Sequence, residues 1–111
     1  MNATIGDGIT PLEEYDPPEK PVEITFHARR RMIDRGGTDE EVILAVRSGT
    51  SEPAKRGKWH SSMTFEYNEP SPVNDLVYAY KTVDAVFAEE EKRIVVVTVK
   101  VYYHNVEGQQ S

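Results

Sequence analysis

The sequence predicts an α+β domain in which two N-terminal helices pack on one face of a three-stranded or four-stranded antiparallel sheet. Two observations carry this prediction. Residues 26–48 contain two helical segments, each with its own start and stop signals, and from residue 58 onward the apolar residues recur at every second position. The length of 111 residues is that of one domain.

The chain divides into a tail, a domain and a short end. Residues 1–21 have no hydrophobic period and are rich in proline and acidic residues, so we expect a disordered acidic tail there. The folded domain is expected over residues 22–104, followed by a flexible C-terminus over 105–111.

The first helix is expected from Phe26 to Arg35, with Thr25 as its N-cap. Residues 22–25 before it read either as a short edge strand or as the lead-in to the helix. Gly36 and Gly37 end the helix, because glycine adopts the left-handed conformation common at helix C-termini.

The second helix is expected to begin after Thr38 and to run to about Ser48. Thr38 and Glu41 form a capping-box pattern, in which each side chain accepts a hydrogen bond from a backbone N–H that the helix leaves free. Gly49 stops the helix. Its apolar stripe consists of Val42, Ile43 and Val46.

Three strands are expected at about 59–67, 76–88 and 93–104, and they form a meander. In the middle strand the apolar residues shift from even-numbered to odd-numbered positions, which suggests a bulge near Lys81 and Thr82. The last strand alternates cleanly, with valines at odd positions from 95 to 101. We therefore expect a shared core that contains Trp59, Met63, Val97, Val99, Val42 and Val46.

Charge and composition limit the classes of function. The net charge of −6 disfavours a nucleic-acid partner, but residues 27–60 carry eight Lys or Arg and five acids, which leaves a local +3. There is no cysteine, no signal-peptide pattern and no apolar run near the roughly 20 residues that a membrane helix needs. We expect a cytoplasmic protein without a membrane partner.

A basic row on the first helix is the first candidate site. His27, Arg31 and Arg35 recur at every fourth position and therefore share one helix face, with Arg30 beside them. The N-terminal end of a helix favours phosphate, and it also favours a neutral histidine that can act as a base. The alternative is a solvated basic face that pairs with acids such as Asp34.

The polar face of the sheet is the second candidate. His60, Lys100, Tyr102 and His104 are expected to lie on it. Metal-independent RNA cleavage needs a base, an acid and cations around the phosphate, and these residue types can supply all three. The alternative is the ordinary polar exterior of an amphipathic sheet.

Metal and cofactor sites are not expected. The three histidines are far apart in sequence, no cysteine is present, and no glycine-rich loop opens a helix. The sequence thus predicts neither a metal nor a cofactor.

The segment from Thr25 to Gly36 carries a signature, His27-Ala28-x-x-Arg31-Met32-x-x-Arg35-Gly36. It resembles a widespread bacterial and archaeal family of small uncharacterised domains, and the resemblance extends over about residues 24–104. That family is similar to the RelE and BrnT toxins of the barnase–EndoU–colicin–RelE nuclease group.

The resemblance implies a RelE-like fold of helices followed by an antiparallel sheet, metal-independent RNA cleavage, and an antitoxin partner. His27, Arg31 and Arg35 match the marked residues of the family, and Thr98 matches a threonine of its final strand. The leading hypothesis is an RNA-binding endoribonuclease with His27 as base or acid and His104 or His60 as its partner. The alternative is a non-catalytic protein-interaction module on the same fold.

Overall fold

The structure, a computed structural model, describes residues 20–106. It contains two helices, five strands and a short 3₁₀ turn at Lys55–Gly57. The helices are α1 (Phe26–Asp34) and α2 (Asp39–Ser48), and the strands are β1 (Val22–Ile24), β2 (Thr50–Pro53), β3 (Trp59–Pro70), β4 (Val77–Glu89) and β5 (Ile94–His104). The predicted α+β class with two N-terminal helices is confirmed.

The sheet differs from the prediction. It has five strands in the order β1-β5-β4-β3-β2, and β1 runs parallel to β5 while all other neighbours are antiparallel. A three-stranded or four-stranded antiparallel sheet was therefore wrong. One additional strand is β1, which is the short edge strand that residues 22–25 allowed. The other is β2, which is exposed at every position and therefore lacks the apolar alternation by which sequence reveals a strand.

Both helices begin and end where their capping signals predict. The Thr25 hydroxyl accepts a hydrogen bond from the Ala28 N–H at 3.1 Å, and Gly36 has a φ of 87° directly after the C-cap. At α2 both bonds of the capping box between Thr38 and Glu41 are present at 3.2 Å.

The core lies between the two helices and one face of the sheet. Helix α1 packs mainly on β5, and α2 packs on β3 and β4. The buried apolar residues are Ala28, Met32, Val42, Ala45, Val46, Val83, Ala85, Phe87, Val96, Val99 and Val101. The predicted burial of Val42, Val46 and Val99 is confirmed, and Met63 is half-buried against the same core.

A bulge lies in β5 and not in β4, where it was predicted. Strand β4 pairs without interruption through Lys81 and Thr82 on both sides. In β5 the register jumps, because Phe87 of β4 pairs with Val96 while Val86 pairs with Thr98. Val97 is the extra residue, so Val96 enters the core and Val97 is only half-buried.

The burial of Trp59 was also predicted wrongly. Its side chain is 40% exposed although its register partner Phe87 belongs to the core. Trp59 is the first residue of β3 and lies at the end of the sheet, where a side chain on the core face is no longer fully covered.

The bulge predicts different costs for truncating two adjacent valines. Val96→Ala should lower the free energy of unfolding by about 2–3 kcal/mol, because it removes two methyl groups from a fully buried site. Val97→Ala should cost less than about 1 kcal/mol. Urea denaturation of both variants measures the difference, and a larger loss at Val97 would place the bulge elsewhere.

Candidate nucleic-acid interface

One histidine and three arginines form an exposed strip along α1 and its C-cap: His27, Arg30, Arg31 and Arg35. Their direction follows from the buried pair on the same helix. Ala28 and Met32 point into the core, so His27 and Arg31, each one position earlier, lie side by side on the flank of the helix. Arg30 lies three residues after His27 and extends the same surface.

None of these four side chains forms an ion pair or a hydrogen bond within residues 20–106. The neighbouring Arg29 differs, because its guanidinium contacts the Asp39 carboxylate at 2.7 Å. Asp34 is exposed beside the strip but makes no ion pair in the described part of the chain. Arg31 is exposed and forms no contact that ties α1 to the sheet within these residues.

The N-terminal end of α1 adds to the positive surface. The first turn contains no acidic residue, so the positive end of the helix dipole is not neutralised there. Phe26 precedes His27 and is 77% exposed. Sequence reasoning missed Phe26 as a surface residue, although an aromatic side chain next to a basic row is a signal for base stacking.

A buried lysine fixes the position of this helix. The Nζ of Lys81 lies 2.9 Å from a carboxylate oxygen of Glu41 and donates to the backbone carbonyl of Gly36 at 2.8 Å. Gly36 belongs to the turn between the helices, and Glu41 belongs to the first turn of α2. Strand β4 therefore holds the C-terminal end of α1 and the start of α2 through one side chain.

The sheet face away from the helices carries the second predicted set. Residues that pair directly across antiparallel strands share a face, and Lys100 pairs with Asp84, Tyr102 with Thr82, and His104 with Tyr80. The open face, as we call it, includes the predicted residues His60, Thr98, Lys100, Tyr102 and His104.

His104 takes part in a hydrogen-bond chain on the open face. Its Nε2 lies 2.7 Å from the Thr82 hydroxyl, which lies 2.8 Å from the Thr64 hydroxyl. Its Nδ1 lies 3.0 Å from the Val106 carbonyl oxygen. A carbonyl only accepts, so Nδ1 carries the proton and Nε2 accepts from Thr82 when the ring is neutral. Both nitrogens are thereby occupied.

His60 lies between two carboxylates on the same face. Its Nδ1 is 3.3 Å from Asp84 and its Nε2 is 3.5 Å from Glu52, which belongs to the edge strand β2. Two acids around the ring repel a phosphate group. This histidine links β2 to β4 and is poorly placed for an anionic substrate.

The structure does not bring His27 together with His60 or His104. The helix packs on the opposite face of the sheet, and it begins where the Thr25 N–H donates to the Val96 carbonyl at 3.0 Å. His104 lies eight residues further along β5, roughly 26 Å at the rise of an extended strand. The predicted pairing of His27 with either histidine on one phosphate is therefore not formed.

Arg35 is the member of the strip that approaches residues of β5. Its backbone carbonyl accepts a hydrogen bond from the Tyr103 hydroxyl at 2.7 Å. A cleft of about 420 Å³ opens beside it. The lining residues are Arg35, Ser71, Val73, Asn74, Tyr78, Val101, Tyr102 and Tyr103.

Comparison with protein-family models, with curated proteins and with solved structures finds no match to this chain. The fold therefore defines the class, an α+β domain with two helices on a mixed five-stranded sheet. Within residues 20–106 no helix is long and apolar enough to cross a membrane. The same residues contain no group of three or more His, Cys, Asp or Glu that could hold a metal ion.

The contact between Tyr103 and Arg35 predicts a pH dependence. Burial raises the pKa of Tyr103 to about 12, and the neighbouring Tyr67 and Glu41 add to the shift. Because the folded pKa exceeds the ordinary value near 10, this tyrosine stabilises the fold below pH 10, and the contribution is lost between pH 10 and 12. Chemical denaturation across this range should show a steeper loss for the parent protein than for Tyr103→Phe. If the two proteins lost stability equally steeply with pH, the raised pKa of Tyr103 would be contradicted.

Proposed function

We propose that this chain is an RNA-binding domain of the RelE and BrnT type, and that it binds phosphates through the exposed strip of α1. One observation carries the proposal: His27, Arg30, Arg31 and Arg35 are exposed and have no acidic partner within residues 20–106. Unpaired guanidinium groups keep all their donors for a phosphate, to which they can bind in a bidentate manner.

The local charge supports an anionic ligand in spite of the overall acidity. Electrostatic steering acts over about a Debye length, roughly 8–10 Å at physiological salt. The charge of the strip therefore affects a nearby ligand more than the net charge of −6 does. The signature residues His27, Arg31 and Arg35, through which the chain resembles its suggested family, all belong to this strip.

Metal-independent cleavage is the reaction that this strip can support. The imidazole of His27 would take the proton of a ribose 2′-hydroxyl, the 2′-oxygen would attack phosphorus, and the 5′-oxygen would leave and take a proton from water. Arg30 and Arg31, three and four residues after His27, would stabilise the charge on the phosphorane. The product ends are a 2′,3′-cyclic phosphate and a 5′-hydroxyl.

A second candidate function is a protein-interaction module, such as one that binds an antitoxin. Phe26 and Ile33 are seven residues apart on one side of α1, and they are 77% and 60% exposed. Leu44 of α2 is also exposed. Large apolar side chains on the solvent side of both helices are typical of a surface that a partner covers.

Binding is tested first with Arg31→Gln and the matched variant Lys92→Gln. Lys92 is exposed in the turn between β4 and β5, as Arg31 is exposed on α1. Each change removes one positive charge from an exposed position. Arg31→Gln should weaken binding of a labelled single-stranded RNA and reduce the salt slope by about one ion, while stability changes by less than about 0.5 kcal/mol.

Lys92→Gln should leave both the affinity and the salt slope nearly unchanged. Equal effects of the two variants would mean that the binding is nonspecific attraction to any cation. A parent protein without measurable RNA affinity would contradict the proposal and favour the protein-interaction module.

Cleavage is tested with His27→Ala in buffer that contains a metal chelator. If His27 transfers the proton, the variant should lose about 10²-fold or more of the rate at which 2′,3′-cyclic ends form, and its affinity for RNA should stay within about twofold. His104→Ala is the matched control, because its ring lies on the open face. If the parent protein binds RNA but forms no 2′,3′-cyclic ends, the chain is an RNA-binding domain without the proposed catalytic step.

A further inference from the structure

The turn between β2 and β3 is the second strongly basic surface of the chain. Residues 54–58 form a closed turn, in which the Ala54 N–H donates to the Lys58 carbonyl at 2.8 Å and the Lys58 N–H donates to the Lys55 carbonyl at 3.2 Å. Arg56 and Gly57 at its tip have φ values of 60° and 73°. This left-handed tip presents Lys55 and Arg56 to solvent, where both are exposed.

The three cations of this turn have no partner in the described chain. Within residues 20–106, the side chains of Lys55, Arg56 and Lys58 form neither an ion pair nor a hydrogen bond. The nearest acid in sequence is Glu52, and its carboxylate is directed to His60 at 3.5 Å. The turn is therefore a local positive surface on an acidic protein.

An exposed indole lies directly beside these cations. Trp59 follows Lys58 and is 40% exposed, although it is the largest side chain of the protein and pairs in register with the core residue Phe87. An aromatic face flanked by cations is the arrangement by which proteins hold single-stranded nucleic acid, since any base can stack on the ring while the phosphates contact the cations.

The sheet places Trp59 on the same side of the molecule as α1. Trp59 pairs with Phe87, and Phe87 pairs with Val96, so the three side chains share the face that the helices cover. Val96 lies two strands from Trp59, roughly 10 Å, and its carbonyl accepts the hydrogen bond that opens α1. Of the acids at this end, Glu89 and Glu90 are paired with Lys20 and Arg93, and Glu91 is exposed in the turn between β4 and β5.

We propose that Lys55, Arg56, Lys58 and Trp59 form a binding site for single-stranded nucleic acid, in which a base stacks on the indole and the adjacent phosphates contact the three cations. The inference rests on the proposed function only for the choice of RNA as the ligand. It adds a substrate class, because a base within a duplex cannot stack on a side chain, and a site of this kind therefore selects single strands.

The test uses the fluorescence of Trp59, which is the sole tryptophan of the chain. The full-length protein is titrated with unlabelled oligouridylate and, in parallel, with an RNA duplex of the same length. The single strand should quench or shift the indole emission in a saturable manner, and the duplex should do so only at much higher concentration. An emission unchanged by a bound single strand would overturn the proposal.

Variants separate stacking from charge. Trp59→Leu should weaken the affinity for labelled oligouridylate about tenfold, whereas Trp59→Phe, which keeps an aromatic face, should recover most of it. Lys58→Gln should weaken binding severalfold and lower the salt slope, compared with Lys92→Gln as the matched control. Equal affinities of the leucine and phenylalanine variants, with melting temperatures equal to the parent, would overturn stacking.

The outcomes distinguish this inference from the α1 proposal. If the binding of single-stranded RNA depends on Arg31 and leaves the Trp59 emission unchanged, α1 is the interface and the turn is not part of it. If Lys58→Gln abolishes the quenching of Trp59 emission and Arg31→Gln does not affect it, the turn is the binding site and the α1 strip is not. No binding of any single strand would contradict both.

Discussion

The arrangement of the helices on the sheet depends on the buried ammonium group of Lys81. This side chain is almost fully buried, and its charge is compensated by Glu41 at 2.9 Å and by the Gly36 carbonyl at 2.8 Å. An uncompensated charge at such a site costs several kcal/mol, so β4 and the turn between the helices must stay together. Glu41 also accepts a hydrogen bond from the Thr38 N–H and thereby couples this contact to the start of α2.

The orientation of α1 follows from that anchor and determines what the helix presents to solvent. With its C-terminal end held at Lys81 and its first residues bonded to β5, α1 can bury only Ala28 and Met32. The arginines at positions 30 and 31 then face water. The sheet lies between this surface and the histidines of the open face, so the molecule has two chemically different sides.

The two sides differ in how their charges are compensated, although Lys100 on the open face also has no partner within residues 20–106. On the open face, His60 contacts Asp84 and Glu52, and His104 is bound to a threonine and a backbone carbonyl. On the helix side, the strip of α1 and the turn at 55–58 carry cations without partners in residues 20–106. An anionic ligand therefore finds available donors on the helix side, although the protein as a whole carries −6.

Local signals in the sequence determined the helices, and long-range packing decided the rest. The Thr25 cap, the capping box at Thr38 and Glu41, and the left-handed Gly36 act within a few residues, so the helix ends could be predicted from adjacent positions. The bulge at Val97 could not, because residues 94–97 are all apolar and only the pairing with β4 decides that Val96 enters the core. The partners of His60 and His104 likewise depend on which sheet face each strand presents, and that choice exists only in the assembled sheet.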